Sequence, residues 1–213
     1  MRERIVGGPA LAPWIRLVPA ALLALIGACG SVADPPQRRT FLVQLDPAAG
    51  GVRPPHQPAA AVYVAPVVVD APFSERGLVI RQSQLGFAAD PYAEFAANPV
   101  SMWTDAVRNW LDARHLFASV LAYDSRADAT LTLETNLLEA VVDRRPGQPP
   151  VSRVTVRFLL VRSGEPYTVL LDRTFSRAEA VSGAGAEGEV AALSLAFEDA
   201  LRDLEEAVTR MPN

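Results

Sequence analysis

Side chains able to do chemistry are few in this sequence. There is one thiol, Cys29, and there are two imidazoles, His56 and His115. Nucleophilic catalysis would need one of those imidazoles beside an activated serine or thiol, and no G-x-S-x-G elbow accompanies either. His56 falls in a proline-rich stretch and reads as a solvated loop histidine. His115 falls at the end of a helical pattern, where a histidine complements the helix dipole. Metal binding would need clustered histidines or an acidic loop of EF-hand spacing, and the sequence has neither. The carboxylate pairs, Glu187 with Glu189 and Glu205 with Glu206, read as a solvated helix face. Gly183-Ala184-Gly185-Ala186-Glu187-Gly188 matches the G-x-G-x-x-G phosphate pattern. No strand follows the helix it opens, so it lacks the βαβ context of a dinucleotide site and reads as a flexible loop feeding a helix. The sequence therefore assigns no catalytic, metal-binding or cofactor-binding residue, and it does not read as an enzyme.

Cys29 stands apart because of what precedes it. Leu17 to Ile26 form an apolar run, Gly27 and Ala28 are small, and Arg2, Arg4 and Arg16 lie upstream. Charged and apolar regions in that order make an export signal, and the run is shorter than the ~20 residues of a spanning helix. Small residues directly before a lone cysteine resemble the bacterial lipobox. There the chain is cut before the cysteine, here between Ala28 and Cys29, and the sulfur carries a covalent lipid of palmitate type. The competing reading is an ordinary signal peptide or anchor in which Cys29 is incidental. Charge, length, small residues and cysteine all occurring together favour lipidation. Residues 1–28 are then a lipoprotein signal peptide and residues 29–39 a lipidated N-terminus with a short proline-containing tether. Residues 40–213 form one domain. Acyl chains contribute about 0.8 kcal/mol per buried methylene, so two or three hold a protein on a membrane without any spanning helix. Gly30, where an aspartate favours inner-membrane retention in enteric lipoproteins, leans towards the outer membrane.

The charge balance excludes a nucleic-acid surface. The formal net charge is −4, every basic residue is arginine, and the basic clusters are only the pairs Arg38-Arg39 and Arg144-Arg145. Residues 1–28 carry three Arg and one Glu, so their removal takes the net charge to −6. With Cys29 acylated no thiol remains for a disulfide, and the domain must stand on its apolar core.

The elements that build that core are legible from periodicity. Residues 40–45 read as a first short strand, stopped by Asp46-Pro47, and residues 46–60 as a loop. A β-branched run follows from Ala61 to Val69, where Pro66 argues for an edge strand or a bulge. Another strand runs from Gly77 to Arg81, and residues 85–95 form a short strand or ordered loop. Asn98-Pro99 is an N-cap followed by a first-turn proline, and it opens a helix whose apolar stripe is Trp103, Val107, Trp110 and Leu111, extending towards Arg114 and Phe117. Period-two alternation over residues 129–142, 151–162 and 168–176 predicts an antiparallel meander with one buried face. Along the second of these strands Val154, Val156, Phe158 and Leu160 form the inward set; Leu159, Val161 and Leu170 fall on the outer face. The chain closes on an amphipathic helix carrying Leu193, Phe197, Leu201, Leu204 and Val208, with Glu198, Asp199, Arg202, Asp203, Glu205 and Glu206 on its outer side. The expected class is α+β: an antiparallel sheet with two amphipathic helices packed on one face, in two layers, behind the signal peptide.

Three segments carry a resemblance to a known family. Phe41-Leu42-Val43-Gln44-Leu45-Asp46-Pro47 follows the lipobox and tether, a strand around Arg81 (Leu78-Val79-Ile80-Arg81) precedes an aromatic-x-x-x-Pro that opens a helix (Phe95-Ala96-Ala97-Asn98-Pro99), and residues 191–208 form the terminal helix. Together they resemble the ABC-type transport auxiliary lipoprotein family, the PqiC-like proteins. The resemblance implies a periplasm-facing lipoprotein, without catalysis of its own. It implies work with an MCE-domain protein and an ABC permease and ATPase that move lipids or other hydrophobic molecules between the membranes. A homo-oligomer is compatible with it. The alternative function class is an envelope structural or assembly lipoprotein, such as a cell-wall synthase activator or a secretion-complex subunit. Direct carriage of lipid by this domain would require an apolar cavity between sheet and helices.

Overall fold

The computed structural model describes residues 37–50, 57–122, 124–164 and 166–211. Ala28, Cys29 and His56, and with them the expected signal peptide, cleavage point and lipidation site, lie outside the described residues.

The architecture is organised by one long strand, β7 (Leu131–Asp143), which the alternation of Leu131, Leu133, Thr135 and Leu137 makes half-buried along most of its length. One edge of β7 takes the antiparallel meander: β8 (Val151–Arg162) pairs with it, and β9 (Thr168–Ala180) pairs with β8. The other edge is shared end to end by three short parallel strands, β2 (Gln57–Val64), β3 (Val68–Val69) and β4 (Gly77–Arg81). Beyond β2 lies β6 (Phe117–Leu121), parallel to it; beyond β4 lies β5 (Phe87–Phe95), antiparallel, and then β1 (Arg39–Phe41), parallel to β5. Among the described residues these nine strands form a single mixed sheet.

Two helices cover one face. Helix α1 (Pro99–Ala113) packs over β2, β3 and β6, and α2 (Gly185–Thr209) over β8 and β9. The layers meet through Trp103, whose ring stands edge-on to Phe197 of α2 at 4.7 Å, and to Phe95 at 6.3 Å. Trp103, Trp110, Phe158 and Phe197 are fully buried, so large side chains fill the space between sheet and helices where a lipid-carrying cavity would have to lie.

The α+β class and the two helices on one face stand. Expected antiparallel throughout, the sheet is antiparallel only in β7–β8–β9 and in the β4–β5 hairpin. The remaining pairings are parallel, because β2, β3 and β4 all run alongside β7 and the connections cross over between them. Pro66 breaks the Ala61–Val69 run into β2 and β3, and among the described residues β3 pairs with β7 alone, so it has one unpaired side. The first strand is only three residues long; after Phe41 the chain leaves the sheet. Helix α1 is capped as expected, with Asn98 Oδ1 accepting the Val100 N–H at 2.9 Å. It ends at Ala113, before Phe117, which opens β6. His115 sits just past that end at φ 52°, and its N–H and that of Leu116 donate to the carbonyls of Asp112 and Leu111. This closing turn places the imidazole by backbone geometry and leaves it exposed.

Candidate functional site

The segment after β1 is held largely by side chains of the two helices. Its Gln44 N–H donates to Ser194 Oγ at 3.2 Å and its Asp46 N–H to Glu198 Oε2 at 3.0 Å, both on α2. The Pro47 carbonyl accepts from Arg114 Nη1, at the end of α1, at 3.1 Å. Phe41 to Pro47 therefore lies along the junction of the two helices, with a groove on each side. On the α1 side Leu42, Val43 and Leu45 face Met102, Ala106 and Trp110 across about 280 Å³. On the α2 side Leu42, Gln44 and Leu45 face Val190, Leu195 and Glu198 across about 890 Å³. Leu42 is 51 % exposed and Leu195 49 %, so the ridge between the grooves and one wall are apolar and uncovered.

Buried charge fixes this arrangement. Arg114 and Glu205 are both buried and pair bidentately, Nε to Oε2 at 3.0 Å and Nη2 to Oε1 at 2.9 Å. Glu198 is buried beneath Asp46 and pairs with Arg202 one turn on. Glu189, also buried, takes both arms of Arg144, at 2.5 and 2.6 Å. Their position corrects the sequence reading, which placed Glu189, Glu198 and Glu205 on a solvated face. Helix α2 is covered by the sheet on one side and by α1 and the Phe41–Pro47 segment on another, so part of its polar stripe is interior. The available signal was Arg114, a charge standing on the apolar stripe of α1 that needed a buried partner.

The glycine-rich stretch also has a structural account. Gly183 and Gly185 adopt φ of 108° and 68°, and a Cβ on Gly188 would stand 2.9 Å from the Ser182 carbonyl oxygen. Those three glycines form the tight entry to α2. Among the described residues no group of three or more His, Cys, Asp or Glu could hold a metal ion. No described helix is long and apolar enough to cross a membrane.

At the end of β7 the Arg144-Arg145 pair is neutralised. Arg145 donates to both oxygens of buried Asp143, at 2.9 and 2.7 Å, and Arg144 also approaches Asp90 at 3.6 Å. The Arg145 side-chain hydrogen bonds hold the Asp143 carboxyl below its ordinary value of 3.8, against the opposing effect of burial. A carboxylate with a lowered folded value contributes stability that is complete above 3.8 and is lost as pH falls through the lowered value. Asp143→Asn is expected to reduce stability at neutral pH and to flatten the acid limb of the stability profile. Denaturant midpoints followed from neutral pH down through the carboxylate range check this by the difference from the parent chain.

Fold and surface together define an α+β domain that presents apolar grooves on its helix layer beside its N-terminal strand. The chain belongs to the ABC-type transport auxiliary lipoprotein component family, whose model matches residues 43–205. Solved structures agree on the fold. A Xanthomonas campestris protein of the DUF330 family (XCC0632) is 18 % identical, with a TM-score of 0.67 over 80 % of this chain and 96 % of that one. A second, of an uncharacterised protein, is 14 % identical, with a TM-score of 0.60 over 81 % and 99 %. Among curated proteins none matches the sequence. Family membership places the chain in the cell envelope as an auxiliary component of an ABC-type transport system.

Proposed function

We propose that this chain is the lipid-anchored docking subunit of an MCE-type ABC transport system that moves lipids or related hydrophobic molecules between the membranes. It works from the periplasmic face of the outer membrane. In this reading Cys29 carries the lipid and Ala28 ends the signal peptide. The domain itself neither hydrolyses ATP nor transforms the cargo, and it needs no cofactor beyond the covalent lipid. The observation that carries the reading is the seam along Phe41–Pro47. The segment that follows β1 is clamped between both helices, with its Leu42 and Leu195 of α2 uncovered as a recognition surface. The family match supports the transport assignment, and the lipobox supports the anchor.

The test expresses the chain with Cys29 and with Cys29→Ser, separates the two membranes, and places a photo-crosslinking residue at Leu195. Acylated protein in the outer membrane, crosslinked through Leu195 to an MCE-domain protein, is the expected result. Cell-wall enzymes or secretion subunits as the crosslinked partners would overturn the transport reading, and loss of membrane attachment only in Cys29→Ser would leave the anchor standing.

A further inference from the structure

The β4–β5 hairpin exposes more apolar surface than its own fold requires. At its turn Leu85 is 90 % exposed, and Phe87, which opens β5, is 48 % exposed. Such side chains on a loose loop would be unremarkable, but this turn is built. The Gln82 and Ser83 N–H groups donate to the Gly86 carbonyl at 2.9 and 3.3 Å, and the Gly86 N–H donates to Ser83 Oγ at 2.9 Å. Arg81 donates to the Ser83 and Gln84 carbonyls at 3.3 and 3.1 Å, and its guanidinium lies over the Phe87 ring at 5.6 Å. Arg145, itself held by Asp143, donates to Gln84 Oε1 at 3.2 Å from the neighbouring turn. Five polar groups thus hold Leu85 and Phe87 outward in a fixed frame. This also gives Arg81, singled out in the sequence, a definite task.

The topology says which way the tip faces. Strand β1 runs parallel to β5, with Arg39 beside Ala93, so the chain enters β1 from the end of the sheet that carries the β4–β5 turn. Phe87 lies six residues before Ala93, which is about 20 Å along the strand. Arg39 lies ten residues after Cys29, enough for an extended reach of about 33 Å. A lipid on Cys29 can therefore lie in the same bilayer that the tip touches. Around the tip Arg144 and Arg145 are paired with Glu189, Asp90 and Asp143, and Arg81 adds a single positive charge. An apolar tip in a collar whose charges are mostly paired suits the hydrocarbon and headgroup boundary of a bilayer.

We infer that Leu85 and Phe87 insert into the membrane that holds the lipid anchor, forming a second attachment that sets the orientation of the domain. The inference rests on acylation of Cys29. Once that sulfur is acylated the chain has no other thiol, so Leu85→Cys can be labelled alone with an environment-sensitive fluorophore. Tyr167→Cys is the control: it is 78 % exposed and lies in the β8–β9 turn, at the opposite end of β7. The acylated full-length chain is reconstituted in phosphatidylcholine vesicles, with and without phosphatidylglycerol, and floated. The expected result is a severalfold intensity rise and blue shift at position 85 only, quenched by lipid-borne nitroxide and not by iodide, and independent of the anionic lipid and of salt. Flotation with position 85 still in water overturns the insertion and leaves the anchor intact; capture of that position by a protein in cells would then mark it as a partner contact. A chain that does not float overturns the anchor reading and the insertion with it.

Discussion

Replacing Glu205 by glutamine is expected to destabilise the domain by about 3–5 kcal/mol, because it leaves the buried Arg114 charge without its carboxylate. A domain of this size has about 5–15 kcal/mol in total, so the variant would be marginal. The double replacement Arg114→Met with Glu205→Leu removes both charges and fills similar volume, and such swaps are often neutral or stabilising. Here it also removes the donor to the Pro47 carbonyl, a hydrogen bond contributing roughly 1 kcal/mol. The expected order of urea midpoints is therefore parent, then the double variant slightly below, then Glu205→Gln far below. A single variant as stable as the parent would mean the pair is solvated in solution.

The pair matters for function because of its third contact. Arg114 ties the end of α1 to α2 and, through Pro47, to the end of the segment that separates the two grooves. With Asp46 held by Glu198 and Gln44 by Ser194, that segment has no freedom to slide along the helices. An apolar ridge presented to a partner binds with less ordering cost when it is already fixed in place. The double variant should thus keep the fold and lose partner crosslinking through Leu195, which separates the pair's positioning role from its contribution to stability.

Elements with one buried face were legible in the sequence. Alternation along Val154, Val156, Phe158 and Leu160 gave β8, and the Asn98-Pro99 cap with Trp103, Val107 and Trp110 gave α1. Parallel pairing was not legible. Strands β2, β3 and β4 are two to eight residues long, and their order along β7 is set by crossovers that leave no periodic trace. The site was half legible. Phe41–Pro47 stood out as a motif, but its apolar residues suggested a longer strand, because helix side chains rather than a neighbouring strand satisfy its backbone. The buried glutamates were read as surface because period-3.6 analysis gives a helix two faces, and α2 is covered on more than one side. Gly188 fits the phosphate-loop pattern, which its context already excludes, because close backbone approach demands glycine whether the neighbour is a phosphate or a carbonyl.

Trp103→Ala is expected to cost about 3–5 kcal/mol, the range for deleting a fully buried tryptophan. The loss falls at the junction of all the layers, because the ring contacts Phe95 at the end of β5 and Phe197 on α2. Phe197→Ala should cost a similar amount, and the double variant less than the sum, since the edge-on pair at 4.7 Å can be lost only once; the coupling expected for such a pair is about 0.5–1.5 kcal/mol. Trp103→Phe keeps an aromatic ring and should recover much of the loss. Calorimetric and urea midpoints of the four chains in the cycle check the argument. Strict additivity would mean that α1 and α2 pack on the sheet independently. The seam along Phe41–Pro47 would then be held by its own hydrogen bonds, the packing of Phe41, Val43 and Leu45, and the Arg114–Glu205 pair. Coupling of the expected size means instead that the two helices form one body through Trp103, so a force applied to the ridge at Leu42 is carried by the whole helix layer.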